Sequence, residues 1–126
     1  MPEHHHLQMS VPWVEVVATE ADWDAAGPHW LAGAFAQLSL IRAFEEYVLG
    51  LAADGLIHGP AHSSIGQEGG AVGSVLALDP ADTVNGSHRG HHQFLAKSLA
   101  HVAPKGIDPV RPYSEEVRAL MLRSLA

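Results

Sequence analysis

The feature that most constrains this chain is an unbroken helical period between His29 and Asp54. Leu31, Ala34, Phe35, Leu38 and Ile41, then Phe44, Val48 and Leu51, recur at three- and four-residue steps. That spacing sets them on one face of a helix. Gln37, Glu45 and Glu46 fall largely off this stripe. Gly55 follows Asp54 directly and suits the left-handed position that closes a helix.

The rest of the chain reads as shorter pieces. Residues 1–27 form an irregular leader, with short extended stretches at Val11-Pro12-Trp13 and Val14–Val17 and a break at Ala25-Ala26-Gly27-Pro28. Trp13, Trp23 and Trp30 read as packing contacts for another part of a larger assembly, or as part of a floppy tail. Leu56 to Ser64 is a loop carrying Gly59-Pro60, His58 and His62. Ser64 and Gln67 fit a capping box, which predicts a helix from Ile65 to Leu78. Gly69, Gly70 and Gly73 each weaken that helix by roughly 1 kcal/mol relative to alanine, so close packing has to compensate. Asp79-Pro80-Ala81-Asp82 is a turn and Thr83-Val84-Asn85 a short strand. A helix follows from Gly90 to His101, then a Pro-rich loop over Pro104–Pro112. Ser114 caps a last helix to about Leu125, with Glu115 and Glu116 in its first turn. The expected fold is mainly α, with about four helices and one short strand. No internal repeat is visible.

Charge and composition remove whole classes. Acidic residues number 14 and basic residues 7, for a net charge of −7. Nucleic-acid binders show basic patches, and here the basic residues are scattered. Ten histidines outnumber the other cations, and protonating all of them would carry the charge to +3. Behaviour near about pH 5–6 should therefore depend strongly on pH. The chain has no cysteine, which removes disulfide scaffolds, cysteine-based zinc sites and thiol nucleophiles. No apolar run approaches the ~20 residues of a membrane span. Met1-Pro2-Glu3 lacks the basic and apolar regions of a secretory signal, so a cytoplasmic protein is expected. His4-His5-His6 is a partial tag or a natural stretch and is given no role.

The densest polar cluster is Ser87-His88-Arg89-Gly90-His91-His92, where a helix begins. Backbone N–H groups at a helix start favour an anion. Arg89 adds a charged fork suited to phosphate or carboxylate, and His88, His91 and His92 add donors. The alternative is that Arg89 pairs with a carboxylate and the histidines are surface residues. A metal reading would use His58 and His62, four apart, with His88 and His91, three apart. No HExxH is present, and no acidic residue lies within the cluster for a second shell. His62 is a site candidate by its place in a loop ahead of a helix start. Glu68 is most simply a residue favoured by the helix dipole. There is no Walker motif, no GxSxG and no GxGxxG.

The order of the pieces is distinctive. Leu40-Ile41-Arg42-Ala43-Phe44-Glu45-Glu46 is followed by Gly55-Leu56-Ile57-His58-Gly59 and by His62-Ser63-Ser64-Ile65-Gly66-Gln67-Glu68. Then come Ala71-Val72-Gly73, Asp79-Pro80-Ala81-Asp82 and Ser87-His88-Arg89-Gly90-His91, with Leu95-Ala96-Lys97. From about Leu38 to Lys97 this resembles the N-terminal part of the alpha subunit, or alpha half, of thiamine-diphosphate-dependent 2-oxo acid dehydrogenases. These are the E1 components of pyruvate, branched-chain 2-oxo acid and acetoin dehydrogenase complexes.

The resemblance implies that Arg89 binds the cofactor diphosphate beside His88, which stands where relatives often carry Tyr. It implies that His62 and His91 line the active-site mouth as catalytic residues. His92 stands where many relatives carry Gly, and no role follows for it. The implied chemistry is oxidative decarboxylation of a 2-oxo acid with acyl transfer to a lipoyl carrier. The implied partners are an E1 beta subunit or beta half and a lipoyl-bearing E2 acyltransferase, within an oligomer. The glutamate that activates the cofactor belongs to the beta part of the family, so Glu68 is not given that role. The Mg²⁺-binding GDG motif is absent from this chain. Residues 28–126 are therefore expected to be an incomplete N-terminal part of the α/β thiamine-diphosphate-binding fold, inactive alone. A non-catalytic helical module that docks on a partner chain is the competing expectation.

Overall fold

The computed structural model describes residues 5, 10–12, 14–103 and 106–125, and among them are five helices and no strand. They are α1 (Glu20–Ala26), α2 (Pro28–Ala53), α3 (Glu68–Leu76), α4 (His91–Val102) and α5 (Glu115–Leu125). The mainly helical fold is as expected. Trp13 and most of the His4-His5-His6 stretch lie outside the described residues.

The long helix starts and ends where local chemistry dictates. Pro28 occupies its first turn, where a missing N–H costs nothing. At the other end Gly55 adopts φ +73. The Leu56 N–H donates to the Leu51 carbonyl (2.9 Å) and the Gly55 N–H to the Ala52 carbonyl (3.1 Å). Those two bonds form a Schellman closure, which satisfies carbonyls that the helix leaves open. The opening segment is less irregular than its sequence suggests. Thr19 caps α1, with its N–H (2.8 Å) and hydroxyl (2.7 Å) both donating to the Asp22 carboxylate. Gly27, at φ +78, then separates α1 from α2.

The core gathers around α4, which packs against α2, α3 and α5. Leu95, Ala96 and Leu99 of α4 are fully buried. They meet Leu40 and Ile41 of α2, Ala71, Val72 and Val75 of α3, and Val117 and Leu120 of α5. Ile107, on the loop before α5, closes the cluster. Its carbonyl would lie 3.2 Å from a Cβ at Gly33, so the small residue lets the loop cross α2 closely. Ser114 caps α5 as expected, accepting from the Val117 N–H at 3.3 Å.

Four expectations need correction. Thr83–Asn85 is not a strand but exposed irregular chain with no partner strand among the described residues. α3 starts at Glu68 rather than Ile65, because Ser64–Gln67 forms a turn closed by Gln67 N–H to Ser64 carbonyl (3.0 Å), with Gly66 at φ +93. The Ser64 hydroxyl therefore does not cap a helix. The buried face of α2 is also rotated from the apolar stripe: Phe35 is 70% exposed, while Gln37 and Glu45 are 2% and 1% exposed. Finally, a Cβ at Gly69, Gly70 or Gly73 would meet nothing within 4 Å. The close packing expected to compensate for those glycines is not supplied at their Cα positions by the described residues.

Leu95→Ala should destabilise the chain by about 2–5 kcal/mol, because the truncated side chain is fully enclosed. Leu122, at 67% exposure, is the control, and its replacement by alanine should change stability by less than about 0.5 kcal/mol. Urea unfolding followed by circular dichroism measures both.

Candidate functional site

One turn of α2 organises the polar region. Arg42 and Glu45 stand three residues apart and so share a side of the helix. Each is committed to a different loop.

Arg42 grips the start of α3. Its Nε donates to Glu68 Oε1 at 2.6 Å and its Nη2 to Oε2 at 3.1 Å, a two-pronged pair. The Glu68 carboxylate also accepts the Gly66 N–H at 3.0 and 3.1 Å, which pins the turn ahead of the helix. The Arg42 guanidinium is the largest of the influences that hold the Glu68 carboxyl at about 2, well below its usual 4.5; the Glu68 and Gly66 N–H groups add to it. Glu68 is thus a structural clamp as well as a first-turn acid.

Glu45 reaches the other way. Its side chain is 1% exposed. Oε2 accepts the Ser64 N–H at 3.0 Å, and Oε1 lies 3.1 Å from His91 Nδ1. Ser64, itself fully buried, donates its hydroxyl to the Arg89 carbonyl at 3.0 Å. The carboxylate therefore ties the loop after His62 to the turn before α4.

That turn is tight for local reasons. The Arg89 N–H donates to the Ser87 hydroxyl at 3.2 Å. A Cβ at Gly90 would lie 3.0 Å from the Ser87 carbonyl, and one at Gly86 would lie 2.6 Å from Gln93 Oε1. At Gly90 the near neighbour is backbone, so a larger residue would push on this path, whereas at Gly86 the nearest atom is the mobile end of a side chain that can turn aside.

The two loops flank an open cleft of about 910 Å³. Phe44, Val48 and Phe94 give it an apolar lining, while His62, His88 and His91 supply imidazoles. The His62 and His88 rings meet edge to face with centroids 5.2 Å apart. Lys97 also lines the cleft, but its ammonium donates to the Asp79 carbonyl at 2.8 Å. Gln93 Oε1 is a buried acceptor on the wall with no donor among the described residues.

Of the four site residues picked from the sequence, His62, His88 and His91 come together on this cleft. The Arg89 side chain is exposed and is not part of the lining, although its neighbours His88 and Gly90 are. It has no hydrogen bond or ion pair from its guanidinium among the described residues. His92 turns inward instead, 6% exposed, with Nδ1 unpartnered among the described residues. No group of three or more His, Asp or Glu side chains is arranged to hold a metal ion among the described residues. Glu45 was missed because an acid within an apolar period looks solvent-facing. The signal was its position, four residues after Ile41 on what proves to be the buried face.

The cleft suits an amphipathic ligand with an anionic end. Part of its lining is apolar, and Gly90 and His91 at the amino terminus of α4 line it beside two potential donors, His62 and His88.

Comparison with known proteins gives a similarity over part of the chain. The chain is 40% identical over 57 residues to the alpha subunit of acetoin:2,6-dichlorophenolindophenol oxidoreductase of Bacillus subtilis (strain 168). The match takes in 45% of this chain but only 17% of that subunit's length. No family model matches the chain, and no solved structure matches it significantly.

The Glu68 clamp gives a pH test. A carboxyl whose folded value is depressed stabilises the fold fully above its unfolded value and loses that contribution as pH falls. Stability should therefore decline between about 4.5 and about 2. Arg42 is 43% exposed, so solvent screens the pair and the decline should be modest. Glu68→Gln should flatten this part of a stability-against-pH profile measured by urea unfolding.

Proposed function

We propose that this chain is an N-terminal segment of the alpha part of a thiamine-diphosphate-dependent E1 component, contributing groups that contact the cofactor diphosphate and line the active-site mouth. The observation that carries the reading is the gathering of His62, His88 and His91 on one cleft at the start of α4, with a neighbouring arginine that is unpaired among the described residues. The similarity to an oxidoreductase alpha subunit supports it.

The residues fit the cofactor's two halves. Phe44, Val48 and Phe94 offer apolar surface to rings, and His88 with the α4 N–H groups offers donors to a diphosphate. Arg89 sits beside the cleft with its guanidinium uncommitted among the described residues, suited to swing onto a phosphate as a bidentate partner. Gln93 Oε1 is an acceptor waiting for a donor. Thiamine diphosphate, when bound, supplies the carbanion and electron sink for cleaving the bond beside a carbonyl. The chain's own part is to hold the phosphates, fix the imidazoles and shape the entrance. His62 and His91 are the residues assigned to the reacting end, with His88 and Arg89 at the phosphates. The substrate is a 2-oxo acid or acetoin. An E1 beta part and a lipoyl-bearing acyltransferase are the partners, and Mg²⁺ comes with the cofactor in the complete enzyme.

The exposed glycine face of α3 favours a second reading, a helical module that docks on another chain without doing chemistry. Inorganic pyrophosphate separates the two. Titrated into the labelled chain, it should shift the imidazole resonances of His62, His88 and His91, and Arg89→Ala should weaken binding about tenfold, the worth of one charge-assisted contact. Pyrophosphate that leaves those rings unmoved overturns the cofactor reading and favours the docking module.

Turnover gives a separate check. The 126-residue chain, given thiamine diphosphate, Mg²⁺ and a 2-oxo acid, should release no CO₂ without its partner. Release from the purified chain would overturn the assignment of the missing catalytic parts to other segments.

A further inference from the structure

We propose that Glu45 is a positioning residue that places the proton of a neutral His91 on Nδ1 and leaves Nε2 as an acceptor toward the cleft. The argument is one of donor and acceptor inventory. An ionised carboxylate only accepts, and a neutral imidazole has one donor and one acceptor nitrogen. Glu45 Oε2 is occupied by the Ser64 N–H at 3.0 Å. Oε1 faces His91 Nδ1 at 3.1 Å inside the protein, where Glu45 is 1% exposed. Two acceptors cannot face each other there without a buried loss. Nδ1 therefore carries the hydrogen and donates it. Nε2, on the far side of a ring that lines the cleft, is left as a lone-pair acceptor with no partner among the described residues.

The same inventory predicts what an amide at this position does. The Ser64 N–H is a permanent donor, so in Glu45→Gln the amide oxygen must turn to it. The NH₂ group then faces His91, and Nδ1 must become the acceptor. Glu45→Gln should thus invert the tautomer rather than merely loosen the ring, and convert Nε2 from an acceptor into a donor. The use of that nitrogen at an active-site mouth rests on the cofactor reading above; the proton placement does not.

Long-range ¹H–¹⁵N correlation of the imidazole rings tests this on the full chain. It is recorded above about pH 8, where an ordinary imidazole is neutral. His91→Asn assigns the signal. In the wild-type chain His91 should be protonated on Nδ1, and in Glu45→Gln predominantly on Nε2. Ser64→Ala keeps the backbone N–H on Oε2 and should leave the tautomer as in wild type, although the hydroxyl bond to Arg89 is lost. A wild-type ring protonated on Nε2 overturns the proposal, as does a folded Glu45→Gln chain with an unchanged tautomer. Should Glu45→Gln fail to fold, the wild-type tautomer decides alone. An Nδ1–H ring in a chain that ignores pyrophosphate would sink the cofactor reading and leave this inference standing.

Discussion

The link between the two loops of the cleft hangs on one buried carboxylate. Glu45 leaves the middle of the longest helix and accepts from the backbone of one loop while facing the first residue of another helix. Taking such a charge out of water is expensive, and an isolated pair repays that cost poorly. What Glu45 supplies is position. A well-packed apolar residue at this point would hold neither the Ser64 N–H nor the His91 ring. Removing the carboxylate also orphans a buried backbone donor, a loss of about 1–3 kcal/mol by itself. The residue therefore couples local geometry to stability.

Arg42, one turn earlier and half-exposed, does parallel work on a second buried carboxylate. It fixes Glu68, which fixes Gly66 and hence the turn leading into α3. Both segments around residues 64–68 and 87–91 are thus set by the same stretch of α2. The apolar side of that stretch, Leu40 and Ile41, is anchored in the core formed with α3 and α4. Packing orients the helix, and the helix then delivers two charged side chains to two loops. The order of causes runs from apolar burial to helix orientation to loop geometry.

Much of this was legible in the sequence, and the failures share a cause. The long helix, its Gly55 terminus, the cap at Ser114 and the histidine cluster all follow from local rules, where the residue type and its neighbours decide the outcome. The resemblance to E1 alpha chains also named three residues that the fold brings onto one cleft. The misreadings arose where a distant partner overrode a local signal. Ser64 has the sequence of a helix cap, but its hydroxyl is drawn to the Arg89 carbonyl and its N–H to Glu45. Gln37 and Glu45 are polar within an apolar period, and tertiary contacts bury them while Phe35 faces solvent. Thr83–Asn85 has strand composition, but no neighbouring strand among the described residues offers a ladder. For Ser64 and Glu45 the deciding atoms lie far along the chain.

The geometry also separates what is fixed from what is left for a ligand to order. Backbone at 64–66 and 87–90 is held by buried or clamped hydrogen bonds. The side chains of His62, His88 and Arg89 are exposed, and the first two are joined by an edge-to-face ring contact. A ligand that gathered them would have to offset the loss of their rotamer freedom, roughly 0.5–1.5 kcal/mol for each immobilised side chain. An anion bearing several oxygens can do so, because one group collects several charge-assisted bonds. A neutral ligand of similar size cannot, and would be left with the apolar lining alone. The chain's overall charge of −7 sharpens this contrast. Long-range repulsion works against any anion's approach, so the selectivity has to come from short-range donors at the rim of the cleft, where Arg89 is the permanent cation of the cluster left uncommitted among the described residues.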